Sequence, residues 1–217
     1  MRERYLQAST FTEFLEGLEA NRELWHQIYR RARIPREIED GARALPHRRH
    51  LLVMTEDWCG DAVHSVPFVA RLAEAVPQLS MRALGRDDNP DLMDAHLTNG
   101  TRSIPVVMIL DEEFREVAWW GPRPQAFREF FQKELKHLSC ADRFPGMRAW
   151  YAKDQGRTVL KELMDAIQGG AVQGDPVGGA ERPAGGAGRP AAGEGPPASG
   201  AGRPAAGEGP PPLSIGG

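Results

Sequence analysis

The sequence predicts an α/β fold: a central mixed β-sheet flanked by helices, with an N-terminal helical extension before it and a C-terminal helix after it. Three observations carry this expectation. Two short runs, Leu51-Leu52-Val53-Met54 and Val106-Val107-Met108-Ile109-Leu110, are too uniformly apolar to lie anywhere but inside a sheet. Helical patterns separate the strand patterns, so the order reads strand, helix, strand, helix, strand, strand, helix. The last two strands are joined by a turn at Asp111 to Glu113, which makes them a hairpin and the sheet mixed.

The elements follow in order. The N-terminus, Met1-Arg2-Glu3-Arg4-Tyr5, leads into a charged amphipathic helix, not an apolar signal core. Thr10 and Glu13 have the spacing of a capping box, and Phe11, Phe14, Leu15 and Leu18 then share one helical face. Leu24, Trp25, Ile28 and Tyr29 continue the stripe to about Arg33, with a break expected between Gly17 and Asn21. Pro35 suits the first turn of a short helix ending near Gly41.

His50 to Thr55 reads as the first strand. The next helix has Val63, Val66, Val69, Ala70, Leu72 and Ala73 on its apolar side and a kink expected at Pro67. Leu79 to Leu84 is the second strand, and Pro90 opens a helix expected to stop near Asn99-Gly100. Val106 to Leu110 pairs with Arg115 to Trp120, and Pro124 to Leu138 forms an amphipathic helix with Phe127, Phe130, Phe131, Leu135 and Leu138 inward. Met147 to Ile167 reads as a further helix that docks on the domain or pairs between copies.

From Gly169 onward the chain is almost entirely Gly, Pro, Ala, Glu and Arg, and a twelve-residue stretch at 186–197 recurs unchanged at 200–211. Such a composition cannot repay its ordering entropy, so residues 169–217 are expected to be a disordered tail. The remainder divides into an N-terminal helical extension (1–46), the α/β domain (47–140) and a C-terminal helical segment (141–168).

A net charge of −3 gives no general attraction to nucleic acid. The arginines at 30, 31, 33, 36, 48 and 49 are interleaved with Glu23, Glu37, Glu39 and Asp40, the pattern of a solvated helix face. No apolar run reaches the length of a membrane span. Two cysteines, Cys59 and Cys140, make no disulfide framework, so a cytoplasmic protein with reduced thiols is expected.

The chemistry centres on Glu56-Asp57-Trp58-Cys59-Gly60-Asp61-Ala62, where the first strand hands over to a helix. Unpaired backbone N–H groups at a helix start favour a thiolate, which makes Cys59 a candidate nucleophile. Asp57 and Asp61 flank it and oppose ionisation by Coulomb repulsion, unless Asp61 merely caps the helix. Cys59, Asp61 and His64 match no zinc spacing, and no metal is expected.

The central part resembles a thioredoxin fold in four features. These are Trp58-Cys59-Gly60 at a strand-to-helix junction, Asp87-Asp88-Asn89-Pro90 after the next strand, Arg102-Ser103-Ile104-Pro105 before an apolar strand, and the closing hairpin and helix. More narrowly, Thr55 to Ala62, Leu92-Met93-Asp94 with Leu97 to Gly100, and Trp120 to Pro124 are similar to a bacterial thioredoxin-like family that also lacks the second active-site cysteine. The resemblance covers about residues 5–168.

The resemblance implies a groove collecting Trp58, Cys59, Asp61, Arg86, Asp87, Arg102, Ile104, Pro105, Trp120 and Arg123, with Pro105 in the family's cis-proline position. Arg86, Arg102 and Arg123 either stabilise a thiolate or ligand carboxylate, or make structural ion pairs, for instance with Asp87. Two-cysteine thioredoxins resolve a mixed disulfide with the second thiol, and here position 62 is alanine. Cys140 is expected at the far end of the last helix, as a packed or surface thiol, unless the following segment returns it. The expected activity is single-cysteine thiol–disulfide exchange or thiol-dependent reduction by Cys59, with protein or peptide disulfides or a small thiol as partner and glutathione as the resolving thiol. The alternatives are a redox-inactive module binding peptides or proteins in the groove, and a glutathione-dependent iron–sulfur carrier shared by two copies.

Overall fold

The computed structural model describes residues 1–169, apart from the side chain of Cys140. The expectations for the Cys140 thiol and for the repeated tail lie outside the described residues.

β1 (Arg49–Thr55), β2 (Leu79–Gly85), β3 (Val106–Leu110) and β4 (Glu116–Trp120) form one sheet in the order β2-β1-β3-β4. β1 runs parallel to β2, with Val53 opposite Ala83, and antiparallel to β3, with Val53 opposite Val107. β3 and β4 are the expected hairpin, irregular at Ile109 and Leu110. Leu51 to Met54 and all of β3 are buried. Successive strand residues face opposite sides, so both sides of these inner strands are covered.

The N-terminal helices are α1 (Arg2–Gln7), α2 (Phe11–Glu16), α3 (Arg22–Arg31) and α4 (Arg36–Arg43). The capping box at α2 is complete: Glu13 N donates to Thr10 Oγ1 at 3.2 Å, and Thr10 N donates to the Glu13 carboxylate at 2.7 Å. The break before α3 falls at Asn21, which takes a φ of 50°. Ser9 and Ala83 exchange backbone hydrogen bonds at 2.8 and 3.0 Å, so the extension covers part of the β2 edge that would otherwise be open to another chain.

The same extension is tied to the start of the site. Trp25, with no exposed surface, donates its indole N–H to Asp57 O at 2.9 Å, while the Asp57 carboxylate accepts from the N–H groups of Glu19 and Ala20 at 2.8 and 2.7 Å. Asp57 is therefore engaged by the loop between α2 and α3.

α5 (Gly60–Ala75) follows β1 and continues through Pro67 as one helix. The helix after β2 is shorter than expected: α6 spans Pro90–Asp94 only. Thr98 and Thr101 then form an isolated bridge around Asn99 and Gly100, both at positive φ, so the glycine serves a turn and not a helix stop.

The largest departure lies after β4. The expected helix from Pro124 to Leu138 is α7 (Gln125–Phe130) followed by a π-helical turn, Phe131–Leu135. The expected helix from Met147 to Ile167 is two helices, α8 (Cys140–Asp154) and α9 (Arg157–Ile167). The chain reverses at Gln155 and Gly156, both left-handed; a Cβ on Gly156 would stand 2.3 Å from the Phe68 ring, so the close approach to α5 requires glycine. α9 packs against β4, α4 and α5, and its Val159, Leu160, Leu163 and Met164 join the main core. Phe127, Leu135, Met147 and Tyr151 form a separate small core between α7 and α8. Among the described residues, no helix is long and apolar enough to cross a membrane.

Candidate functional site

The site stands at the carboxyl end of β1, the usual place for ligands on a sheet of this kind. Met54 and Thr55 end the strand, and Cys59 is the N-cap residue of α5, so its sulfur sits where the first helical N–H groups have no partner inside the helix. Cys59 Sγ lies 3.4 Å from the carbonyl oxygen of Ile104, to which the thiol donates. The Ile104–Pro105 peptide is cis, as is Gly121–Pro122.

Cys59 is 8 % exposed, and burial pushes its thiol above the usual range. The backbone N–H of Ala62 pulls the other way, the Asp61 charge adds to the rise, and the N–H of Asp61 and the Arg123 guanidinium offset part of it. Burial dominates, and the resting group is a neutral thiol.

Asp61 does not cap the helix with its carboxylate. Arg123 donates to its Oδ2 through Nε at 2.8 Å and Nη2 at 2.6 Å, and the Tyr151 hydroxyl donates to its Oδ1 at 2.9 Å. Arg123 lies over the Phe131 ring, 4.5 Å from its centroid. Burial, with the neighbouring Asp61 charge, holds the Tyr151 hydroxyl well above its usual pKa, so it remains a donor. His64 stacks on Tyr151 at 5.0 Å, and its pKa is lowered by burial to about 4.

A groove of about 900 Å³ opens over the thiol. Its lining brings together Trp58, Cys59, Asp61, Arg86, Arg102, Ile104 and Arg123. Two residues grouped with them in sequence lie beneath it. Pro105 is buried behind Ile104, and Trp120 is 1 % exposed, with its indole N–H donated to Glu162 at 3.0 Å. Strand alternation puts Trp120 on the core side, and α9 supplies the carboxylate that makes burial of its N–H tolerable.

The arginines are paired. Arg86 holds Asp87 at 2.8 Å and lies 4.8 Å from the Trp58 ring centroid; Arg102 binds Asp94 through two nitrogens at 2.7 and 2.8 Å. Arg123 takes Asp61, not Asp87. Trp58 itself is 49 % exposed and forms a wall of the groove.

Sequence reasoning did not find Tyr151. Within an apolar helical stripe a tyrosine looks like any core residue, and nothing local marks its hydroxyl as reaching a carboxylate ninety positions earlier. α8 also brings Phe144, 52 % exposed, over the start of α5, where a Cβ on Gly60 would stand 3.9 Å from its ring. Together with Leu24, Trp58, Val63, His64 and Met147 it lines a second, more apolar hollow of about 590 Å³ behind Trp58. His64 faces this hollow and not the groove. Among the described residues, no group of three or more His, Cys, Asp or Glu side chains is placed to hold a metal.

Comparison with known proteins agrees with this geometry. A family model described as thioredoxin matches residues 8–136, more than half of the chain. No curated protein matches. Among solved structures, a protein of unknown function from Pseudomonas aeruginosa superposes with a TM-score of 0.62 at 20 % identity, covering 76 % of this chain and 95 % of that one. An HIV epitope-scaffold superposes with a TM-score of 0.61 at 20 % identity, covering 78 % and 98 %. These two likenesses support the fold alone, whereas the family match includes the strand-to-helix junction that carries Cys59. On the mixed sheet, that junction and the matched model, the chain belongs to the thioredoxin family.

Proposed function

We propose that this protein exchanges disulfides through Cys59 alone, with a protein, peptide or small-molecule disulfide bound in the groove and a small thiol such as glutathione as the second reactant. The observation that carries the reading is the position of Sγ: it stands at the start of α5, with the N–H groups of Asp61 and Ala62 available to a thiolate and the Ile104 carbonyl 3.4 Å away at the groove wall.

The Cys59 thiol loses its proton to solvent, and the thiolate attacks one sulfur of the bound disulfide. A Cys59 mixed disulfide forms and the other sulfur leaves as a thiolate. The thiolate of the small thiol then attacks the substrate sulfur of that mixed disulfide, forms a new disulfide with it and returns Cys59 as a thiolate, which takes up a proton. No thiol at position 62 competes for this second step. A cysteine whose pKa is raised is a slow attacker near neutral pH but also a poor leaving group, so the mixed disulfide should persist.

The second reading is a binding groove without redox chemistry. It is favoured by the same burial, which keeps the thiol neutral and nearly covered. Incubating wild type and Cys59→Ser with oxidised glutathione from pH 7 to 9, followed by peptide-resolved mass spectrometry, separates the two. A glutathionyl group on Cys59 whose yield rises with pH is expected. Absence of that adduct at pH 9, together with peptide binding that survives Cys59→Ser, would leave the binding module.

A further inference from the structure

Two groups converge on the residue two positions after the thiol, and they come from distant parts of the chain. Arg123 lies in the connection between β4 and α7, and Tyr151 projects from α8, beyond the residues matched by the family model. Asp61 is itself only 8 % exposed. Both of its carboxylate oxygens accept from the protein, which favours the ionised form of Asp61.

We infer that Asp61 is a built-in restraint on Cys59: its carboxylate, clamped by Arg123 and Tyr151 in the first helical turn after the thiol, opposes the thiolate and adds to the burial that delays reaction to higher pH. Two effects act in the same direction. The carboxylate adds a like charge near the sulfur in a poorly solvated setting, and it holds on its own oxygens the guanidinium whose charge favours the thiolate. Tyr151 is a positioning residue, because it touches Asp61 and acts on the thiol only through it.

Other titratable groups near the cluster do not substitute for this pair. His64, on α5, stacks on Tyr151 and feels the Asp61 charge, but burial lowers its pKa to about 4, so it is neutral over the range in which the thiol reacts; Arg148, on α8, lines the second hollow with it. Arg86 and Arg102, on the groove wall, hold Asp87 and Asp94. Arg128 and Glu129 line the groove from α7. Asp61 and Arg123 are the charges that bear most on the sulfur.

The inference rests on the exchange reading only for its consequence; the restraint itself is measured on the thiol. Alkylation of Cys59 by iodoacetamide is followed from pH 6 to 10 in the full chain, with peptide-resolved mass spectrometry to separate it from Cys140. Asp61→Asn is expected to move the midpoint down by about one unit, giving roughly tenfold faster reaction at neutral pH. Asp61→Ser, too small to crowd Arg123 or Tyr151, should shift it the same way and serves if the asparagine variant does not fold.

Tyr151→Phe loosens the same cluster but keeps the charge, so it should move the midpoint by clearly less than Asp61→Asn does. Superimposable profiles for wild type and both Asp61 variants would overturn the inference. So would a Tyr151→Phe shift as large as that of Asp61→Asn, which would assign the effect to packing of α8. Oxidised glutathione added in parallel keeps the two ideas apart. A shifted profile without any adduct retains the restraint and removes the exchange reaction; an adduct with an unshifted profile does the reverse.

Discussion

Gly121 offers a sharp test of how the site is held. It sits between β4 and Arg123 at a φ of 129°, and a Cβ there would stand 2.1 Å from the carbonyl oxygen of Pro105. The obstacle is backbone, not the tip of a flexible side chain, so Gly121→Ala must push the Pro105 segment away by about 1 Å in a close-packed region. Left-handed backbone costs about 1–2 kcal/mol for a residue with a Cβ, and forced displacement of packed structure adds about 1–3 kcal/mol. A loss of about 3 kcal/mol should lower Tm by roughly 6–12 °C in a domain of this size.

Gly100→Ala is the matching control. Gly100 has a φ of 72° but nothing within 4 Å of its Cβ position. It should lose only the backbone contribution, about 1 kcal/mol, or roughly 2–4 °C. Thermal melts by circular dichroism give the comparison, and Cys59 alkylation adds a local readout because Ile104, next to Pro105, carries the carbonyl on Sγ. If the two variants melt within about 2 °C of one another, the steric argument fails.

Two histidines should shape the pH dependence of stability in opposite directions. Burial lowers His64 to about 4, so on acidification below the unfolded value near 6.5 the unfolded chain takes up a proton that the folded one refuses. Stability should fall between about pH 6.5 and 4, on the order of 3 kcal/mol, and His64→Gln should flatten that slope in urea titrations. For His96, burial opposes the charge, but the Glu116 carboxylate at 2.8 Å and the Leu92 carbonyl at 2.7 Å outweigh it and raise the pKa. Its contribution should be complete below about pH 6.5 and disappear as pH rises through the higher folded value, a loss absent from His96→Gln. Glu162 joins α9 to the indole of Trp120 at 3.0 Å and to the backbone N–H of Gln125 at 2.8 Å. Glu162→Ala should cost about 2–4 kcal/mol, read as the urea midpoint; a change below about 0.5 kcal/mol would show that these bonds are replaced by water.

Much of the scaffold is legible in the sequence because it depends on near neighbours. The unbroken apolar runs of β1 and β3 report burial on both sides, the Thr10 and Glu13 pair marks a helix start, and the strand-to-helix junction at Cys59 follows from where one pattern replaces the other. Burial of a side chain, however, is not its partner. Strand position puts Trp120 at the groove end of β4 but does not reveal the Glu162 carboxylate on α9 that accepts from its indole N–H.

The same limit applies to the reactive end of the chain. By itself the sequence determined the α/β order, the single thiol at a helix start and the absence of a second cysteine beside it, since each is a property of adjacent residues. Only the tertiary structure decided that the chain after β4 turns back at Gly156, that α8 delivers Tyr151 to the site, and that Arg123 chooses Asp61 over Asp87. Those partners are 62 and 90 positions apart, and which charges meet across such a distance depends on how helices pack, which no local pattern encodes.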